Sequence, residues 1–184
     1  MQLTIKDVEI LQQNLAKEQE DYQIELQEGN LLVMGPSDIE SSEIGAQLIH
    51  LLKLWVNPRN LGRIFDSSGG FIMPNTDLRA PDVSFVVASR LKRTVRDFGN
   101  LVPDLVVEIK SKTDRIGKLE DKIKLFLEQG AKIGILINPD ERTVSIYRPN
   151  GEIETLTGDD KLTIPELFPG WEINISEIWP PVFE

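Results

Sequence analysis

No cysteine and only one histidine, His50, occur in the chain of 184 residues. Without cysteine there are no disulfides and no thiolate metal sites. A lone histidine excludes histidine-based metal clusters and leaves a serine triad almost without a base; its place on a predicted helix suits packing or a surface role. No apolar run approaches the roughly 20 residues needed to span a bilayer. The stretch "MQLTIKDVEILQQNLAKEQEDY" carries too much charge for a secretory signal, so a soluble, cytoplasmic protein with no membrane partner is expected. A phosphate loop is missing as well. At Gly117-Lys118, Leu119 stands where Ser or Thr is needed, and Lys112 stands where the first glycine should be.

Positive charge is in short supply, with 20 Lys and Arg against 30 Asp and Glu, a net charge of −10. That balance argues against a protein that coats nucleic acid without specificity. The distribution is uneven, however. Between Arg90 and Lys124 lie ten basic residues and six acids, so half of the positive charge sits in one segment.

Neither an internal repeat nor a low-complexity linker divides the chain, and its length suits one domain over 1–184. Thr4 with Asp7 predicts a helix start, and Val8, Leu11 and Leu15 give that helix a thin apolar stripe. "YQIELQEGNLLVM" reads as two short strands about Glu28-Gly29-Asn30. Ser37 or Asp38 can cap a long helix bearing Ile44, Leu48, Leu51, Leu52 and Trp55, which Asn57-Pro58 is expected to stop. "GRIF" and "GGFIM" read as a bent strand or hairpin, followed by the strand "DVSFVVA". After the basic loop comes "VPDLVVEIK", then a helix from near Asp114 to Gly130, then the buried strand "KIGILIN". Asn150-Gly151 predicts a two-residue hairpin turn, and the Pro- and Trp-rich tail is expected to wrap the core, with Trp55, Trp171 and Trp179 in packing roles. The order predicts a mixed α/β layer structure ending in an antiparallel hairpin.

The strand "DLVVEIK" carries the chemistry. Side chains alternate faces along a strand, so Asp104, Val106, Glu108 and Lys110 share one side. A phosphodiester nuclease needs carboxylates for a hard divalent cation such as Mg²⁺ and a cationic group near the attacking water or the scissile phosphate. Glu108 and Lys110 meet that need on one face, and Asp82 after Pro81 supplies a second carboxylate if its strand pairs with theirs. The plainer reading is a half-exposed face on which Glu108 and Lys110 neutralise each other. Asp104 is the rival ligand, but it lies two pleats from Glu108. Glu40 is either a third carboxylate aimed at the sheet or a solvated acid in the favourable first turn of its helix. Lys122 either reaches the site or snorkels to water.

"RAPDVSFV", "VPDLVVEIKSKTD", the helix with Lys122 and "GILINP", in this order, resemble the Uma-two family of predicted restriction endonucleases within the PD-(D/E)xK nuclease superfamily. The resemblance runs from "IELQEGNLL" to "LFPGWEINISEIW". It implies a restriction-endonuclease-like core, a mixed β-sheet flanked by α-helices with additional N-terminal strands and a C-terminal hairpin. It implies Asp82 as the acid of the first motif, Glu108 and Lys110 as the Glu-x-Lys pair, and Ile109 as lender of a backbone carbonyl to the metal. Many relatives carry an apolar residue in place of Lys110, with a helix lysine matching Lys122, and a histidine in place of Ser41.

The resulting expectation is a Mg²⁺-dependent endodeoxyribonuclease, with Mn²⁺ as substitute. Asp82 and Glu108 hold the metal, Lys110 orients water or neutralises developing charge, and Lys122 is a backup cation. Lys92, Arg93, Lys112 and Arg115 contact the DNA backbone, and cleavage of a duplex by one-site subunits favours a homodimer. The competing expectation is a silent binding or interaction module on a nuclease scaffold.

Overall fold

The computed structural model describes residues 2–18 and 22–183. Helix α1 (Ile5–Lys17) opens on a reciprocal capping box between Thr4 and Asp7. Strands β1 (Gln23–Gln27) and β2 (Asn30–Met34) form an antiparallel hairpin. Its turn residues Glu28 and Gly29 both have positive φ, 50° and 75°, the backbone a tight two-residue turn requires. Helix α2 (Ile39–Arg59) is capped by the Asp38 carboxylate, which accepts from the Ser41 amide. It does not stop at Asn57-Pro58 as expected. Pro58 sits in the last turn, where a missing amide forfeits a single bond, and Asn60 in the left-handed region ends the helix.

Four strands follow: β3 (Gly62–Asp66), β4 (Phe71–Ile72), β5 (Leu78–Arg79) and β6 (Val83–Val87). Of the bent strand or hairpin expected over "GRIF" and "GGFIM", the hairpin does not form. Strand β3 pairs with β6, whereas β4 pairs with β5 in another sheet, and the Ser67–Gly70 stretch carries the chain from one sheet to the other. Then come β7 (Leu105–Ile109), α3 (Ile116–Glu128), β8 (Ile133–Asn138), β9 (Thr143–Tyr147), β10 (Ile153–Leu156), β11 (Lys161–Thr163) and β12 (Glu172–Asn174). The β9–β10 turn is longer than the two residues expected. Arg148 bonds to Glu152 across it, and Gly151 takes the left-handed position.

The central sheet has six strands in the order β10-β9-β8-β7-β6-β3. Its β7–β8 pair is parallel, with α3 as the crossover, and the other neighbours are antiparallel. One face packs Leu105, Val107, Ile109 and Ile135 against Ile44, Leu48, Leu52 and Val56 of α2, together with Phe168 and Trp171 of the tail. The opposite face receives α3 through Ile123 and Phe126. Gly134 on β8 makes this approach possible, since Ile123 occupies the space a Cβ would need. A smaller sheet, β2-β1-β5-β4, packs with α1 through Val8, Ile24, Leu26 and Leu78. Strand β5 leads through Ala80 and Pro81 to Asp82 and β6, so β1 is carried to the end of the central sheet where β7 finishes.

Candidate active site

Strands β6 and β7 run antiparallel with Val83 opposite Val107, and continuing that register brings Asp82 opposite Glu108. Asp82 Oδ2 accepts a hydrogen bond from the Ile109 amide at 2.7 Å, which ties the acid across the end of the strand pair. Glu108 is 3 % exposed and points to the α3 side of the sheet, the side on which Val106 packs against Phe126. There it meets Lys122, whose Nζ lies 3.0 Å from Glu108 Oε1.

A third carboxylate completes the cluster. Glu25, in the middle of β1, has its Oε1 3.0 Å from the same ammonium and also accepts from the Ala80 amide at 2.9 Å. Glu25 Oε2 faces Arg79 Nη1 at 3.2 Å, as the Leu26–Leu78 register requires by setting Glu25 opposite Arg79. Arg79 is buried too, and reaches Asp77 at 3.2 Å and Gln27 at 3.3 Å. The Lys122 ammonium therefore lies between Glu25 and Glu108, with the Ala80 carbonyl as a further acceptor at 3.3 Å.

Burial is the dominant force on these charges. It pushes the Glu108 carboxyl up to about 8, with Lys122 opposing the shift and Asp82 and Glu25 adding to it. Asp82 is raised for the same reason, against the pull of its Ile109 hydrogen bond and of Lys122. Burial also disfavours the Lys122 ammonium, yet the carboxylates of Glu108, Glu25 and Asp82 outweigh it and leave the group firmly protonated.

The family model described as "Uma2: Putative restriction endonuclease" matches residues 7–176. The chain belongs to the Uma2 family. Among solved structures, it is similar to a putative nuclease belonging to DUF820 from Anabaena variabilis, at 25% sequence identity and a TM-score of 0.77. The match covers 84% of this chain and 88% of that one. Among curated proteins none matches. The fold is thus that of a Uma2 nuclease-like protein, and the mixed α/β core expected from the sequence is the one observed. Among the described residues no helix is long and apolar enough to cross a membrane.

Within this Uma2 fold the expected site residues separate. Asp82, Glu108 and Lys122 converge, but Lys110 does not join them. Its ammonium bonds Asp140 Oδ2 at 2.6 Å and the Ser111 carbonyl at 3.2 Å. Regular β7 ends at Ile109, and Lys110 leans toward the turn after β8, on the side of β7 away from β6 and Asp82. Glu40 is exposed in the first turn of α2, where Asp38 does the capping. Asp104 lies at the opposite end of β7 and braces the sheet there, accepting from the Val87 amide at 2.9 Å and pairing with Arg90 and Lys132. Ile109 meets the cluster through its amide.

The basic segment is split as well. Lys112 and Arg115 are exposed beyond the site end of β7, and the Lys112 amide is held by Asp38 at 2.9 Å. Lys92 and Arg93 follow the far end of β6, where Arg63 holds the Lys92 carbonyl at 3.0 Å. A strand of five residues, roughly 17 Å, separates that end from Asp82.

Glu25 and Arg79 were not among the expected site residues. Their signal in the sequence was slight: an acid between Ile24 and Leu26, in a strand whose three central residues are all buried. A buried charge needs a partner, but nothing local names it.

Proposed function

We propose that the protein is a divalent-metal-dependent endonuclease that hydrolyses DNA phosphodiester bonds. The observation that carries this reading is the convergence of Asp82, Glu108 and Lys122 at one end of the β6–β7 pair, in a fold shared with the Uma2 nucleases.

The donor set fits Mg²⁺ or Mn²⁺, which prefer carboxylate oxygen. Glu108 Oε1 is buried and receives no aligned hydrogen bond, although the Lys122 charge is near. Asp82 commits one oxygen to Ile109 and retains the other. Among the described residues, no three acids already form a metal-holding group, in keeping with an ammonium between Glu25 and Glu108. Asp82 and Glu108 would hold the metal, with the Ile109 carbonyl as a further oxygen. A metal so bound would polarise the scissile phosphoryl group and lower the pKa of a water.

Lys122 takes the part expected of Lys110. Its ammonium is positioned to orient the attacking water or to neutralise charge that develops on the phosphate. Lys112 and Arg115, on the same end of the sheet, would contact the DNA backbone, and a two-fold dimer would present one site to each strand.

Nicking of supercoiled plasmid in Mg²⁺ and Mn²⁺ tests the proposal. Wild type and Lys110→Ala should nick at similar rates, while Glu108→Gln and Lys122→Met should lose at least about a hundredfold, the scale on which one electrostatic donor matters. Undiminished nicking by Glu108→Gln would mark a contaminating nuclease and refute the assignment. The net charge of −10 favours a second reading, a silent scaffold, which metal binding without cleavage of any DNA or RNA form would support.

A further inference from the structure

We propose that Glu25 is a positioning residue for Lys122, itself locked by Arg79, and that it serves the site without binding the metal. The inference rests on the nuclease reading only for the consequence to cleavage. The positioning itself stands on the hydrogen bonding.

Glu25 differs from its two neighbours in how fully its oxygens are engaged. Oε1 takes the Ala80 amide at 2.9 Å and the Lys122 ammonium at 3.0 Å, and Oε2 takes Arg79 at 3.2 Å. Three donors from three directions fix the carboxylate plane and leave it little capacity for a metal. Glu108, by contrast, meets the Lys122 ammonium alone, at 3.0 Å, and Asp82 accepts one hydrogen bond. The acids therefore divide by hydrogen bonding into two that are available and one that is engaged.

Lys122 needs such an anchor. Its stem is long, 16 % of its side chain remains exposed, and an untethered ammonium would be drawn to water. Glu25 Oε1 and the Ala80 carbonyl hold it from the β1–β5 side, leaving its third hydrogen to face Glu108. Arg79, held in turn by Asp77 and Gln27, prevents Glu25 from following the lysine outward. The smaller sheet thus acts as a bracket for a cation borne on α3. That role explains why a buried acid and a buried arginine lie opposite each other across β1 and β5.

The test uses metal-free protein labelled with nitrogen-15 at lysine. An ammonium held by several acceptors gives a proton–nitrogen correlation near neutral pH, whereas solvated ammonium protons exchange away. Wild type should show such a signal, assigned to Lys122 by its absence from Lys122→Met, and Glu25→Ala should lose it. Glu25→Ala should also keep the metal-induced rise in melting temperature that Glu108→Gln loses, and in cleavage its kcat should fall at least tenfold with KM changed less than about threefold. Should Glu25→Ala not fold, Glu25→Asp, which withdraws the charge by one methylene, is measured in the same way with the same expectation. Absence of the signal from wild type, its persistence in the folded Glu25 variant, or loss of the metal response there would overturn the proposal. If the signal and metal response behave as expected while wild type cuts no nucleic acid, positioning stands and the nuclease reading fails.

Discussion

Asp82 and Ile109 are joined by a 2.7 Å hydrogen bond in which the acid accepts from the backbone of the strand that carries Glu108. With the β6–β7 register, this bond holds Asp82 beside the strand that carries Glu108, the other carboxylate proposed as a ligand. Asp82 is thus structural as well as a proposed ligand, and two substitutions separate these roles. Asp82→Asn keeps an acceptor for the Ile109 amide and should cost little stability while abolishing the metal-induced thermal shift. Asp82→Ala leaves the amide unsatisfied and should cost about 1–3 kcal/mol in urea denaturation. Equal stability of the two variants would show that the bond contributes nothing.

Glu108 makes metal-free stability depend on pH. Its carboxyl is raised from 4.5 to about 8 in the folded protein, so the folded state keeps a proton that the unfolded chain has already lost. The stability linked to this group is complete below about 4.5 and declines as pH rises through about 8. With chelator present, Glu108→Gln should therefore gain on wild type between pH 6 and pH 9, by on the order of 2 kcal/mol. A constant difference across that range in paired chemical denaturation curves would contradict the assignment.

The separation of the basic residues predicts unequal effects on DNA binding. Reversing Lys112 and Arg115 to Glu should weaken binding and lower the slope of log affinity against log salt by about 0.9 for each phosphate no longer neutralised. Reversing Lys92 and Arg93, at the other end of β6, should leave the slope nearly unchanged. Fluorescence anisotropy with a labelled duplex over a salt series distinguishes the pairs, and equal effects would place the DNA differently.

Gly134 controls the docking of the helix that bears Lys122. A methyl group there would collide with Ile123, so Gly134→Ala should destabilise by about 1–3 kcal/mol, as overpacked cores do. Because α3 must move to relieve the clash, the Lys122 ammonium signal should shift or broaden even where the variant remains folded. An unchanged signal would mean that the helix absorbs the methyl without moving its lysine.

Much of this protein could be read along the chain. The Thr4–Asp7 cap, the alternation of apolar and charged residues in "DLVVEIK", and the apolar stripes of α2 and α3 are local patterns, and local sterics and hydrophobic spacing are enough to produce the elements seen. That Asp82 and Glu108 come together was legible for the same reason: one precedes an apolar strand, the other lies near the end of the next, and antiparallel pairing brings these ends together. The choice between Lys110 and Lys122 was not. Period two puts Lys110 on the same side as Glu108, but a four-carbon stem follows the nearest acceptors, and those are Asp140 and the Ser111 carbonyl. Lys122 reaches Glu108 only because α3 crosses that face of the sheet against Gly134. Glu25 reaches Lys122 only because β1 pairs with β5, a contact between residues more than fifty positions apart. Local sequence determines which face a side chain leaves from. The partner that a long or buried charge finds is decided by which distant elements pack there, and desolvation leaves that charge no alternative but to be paired.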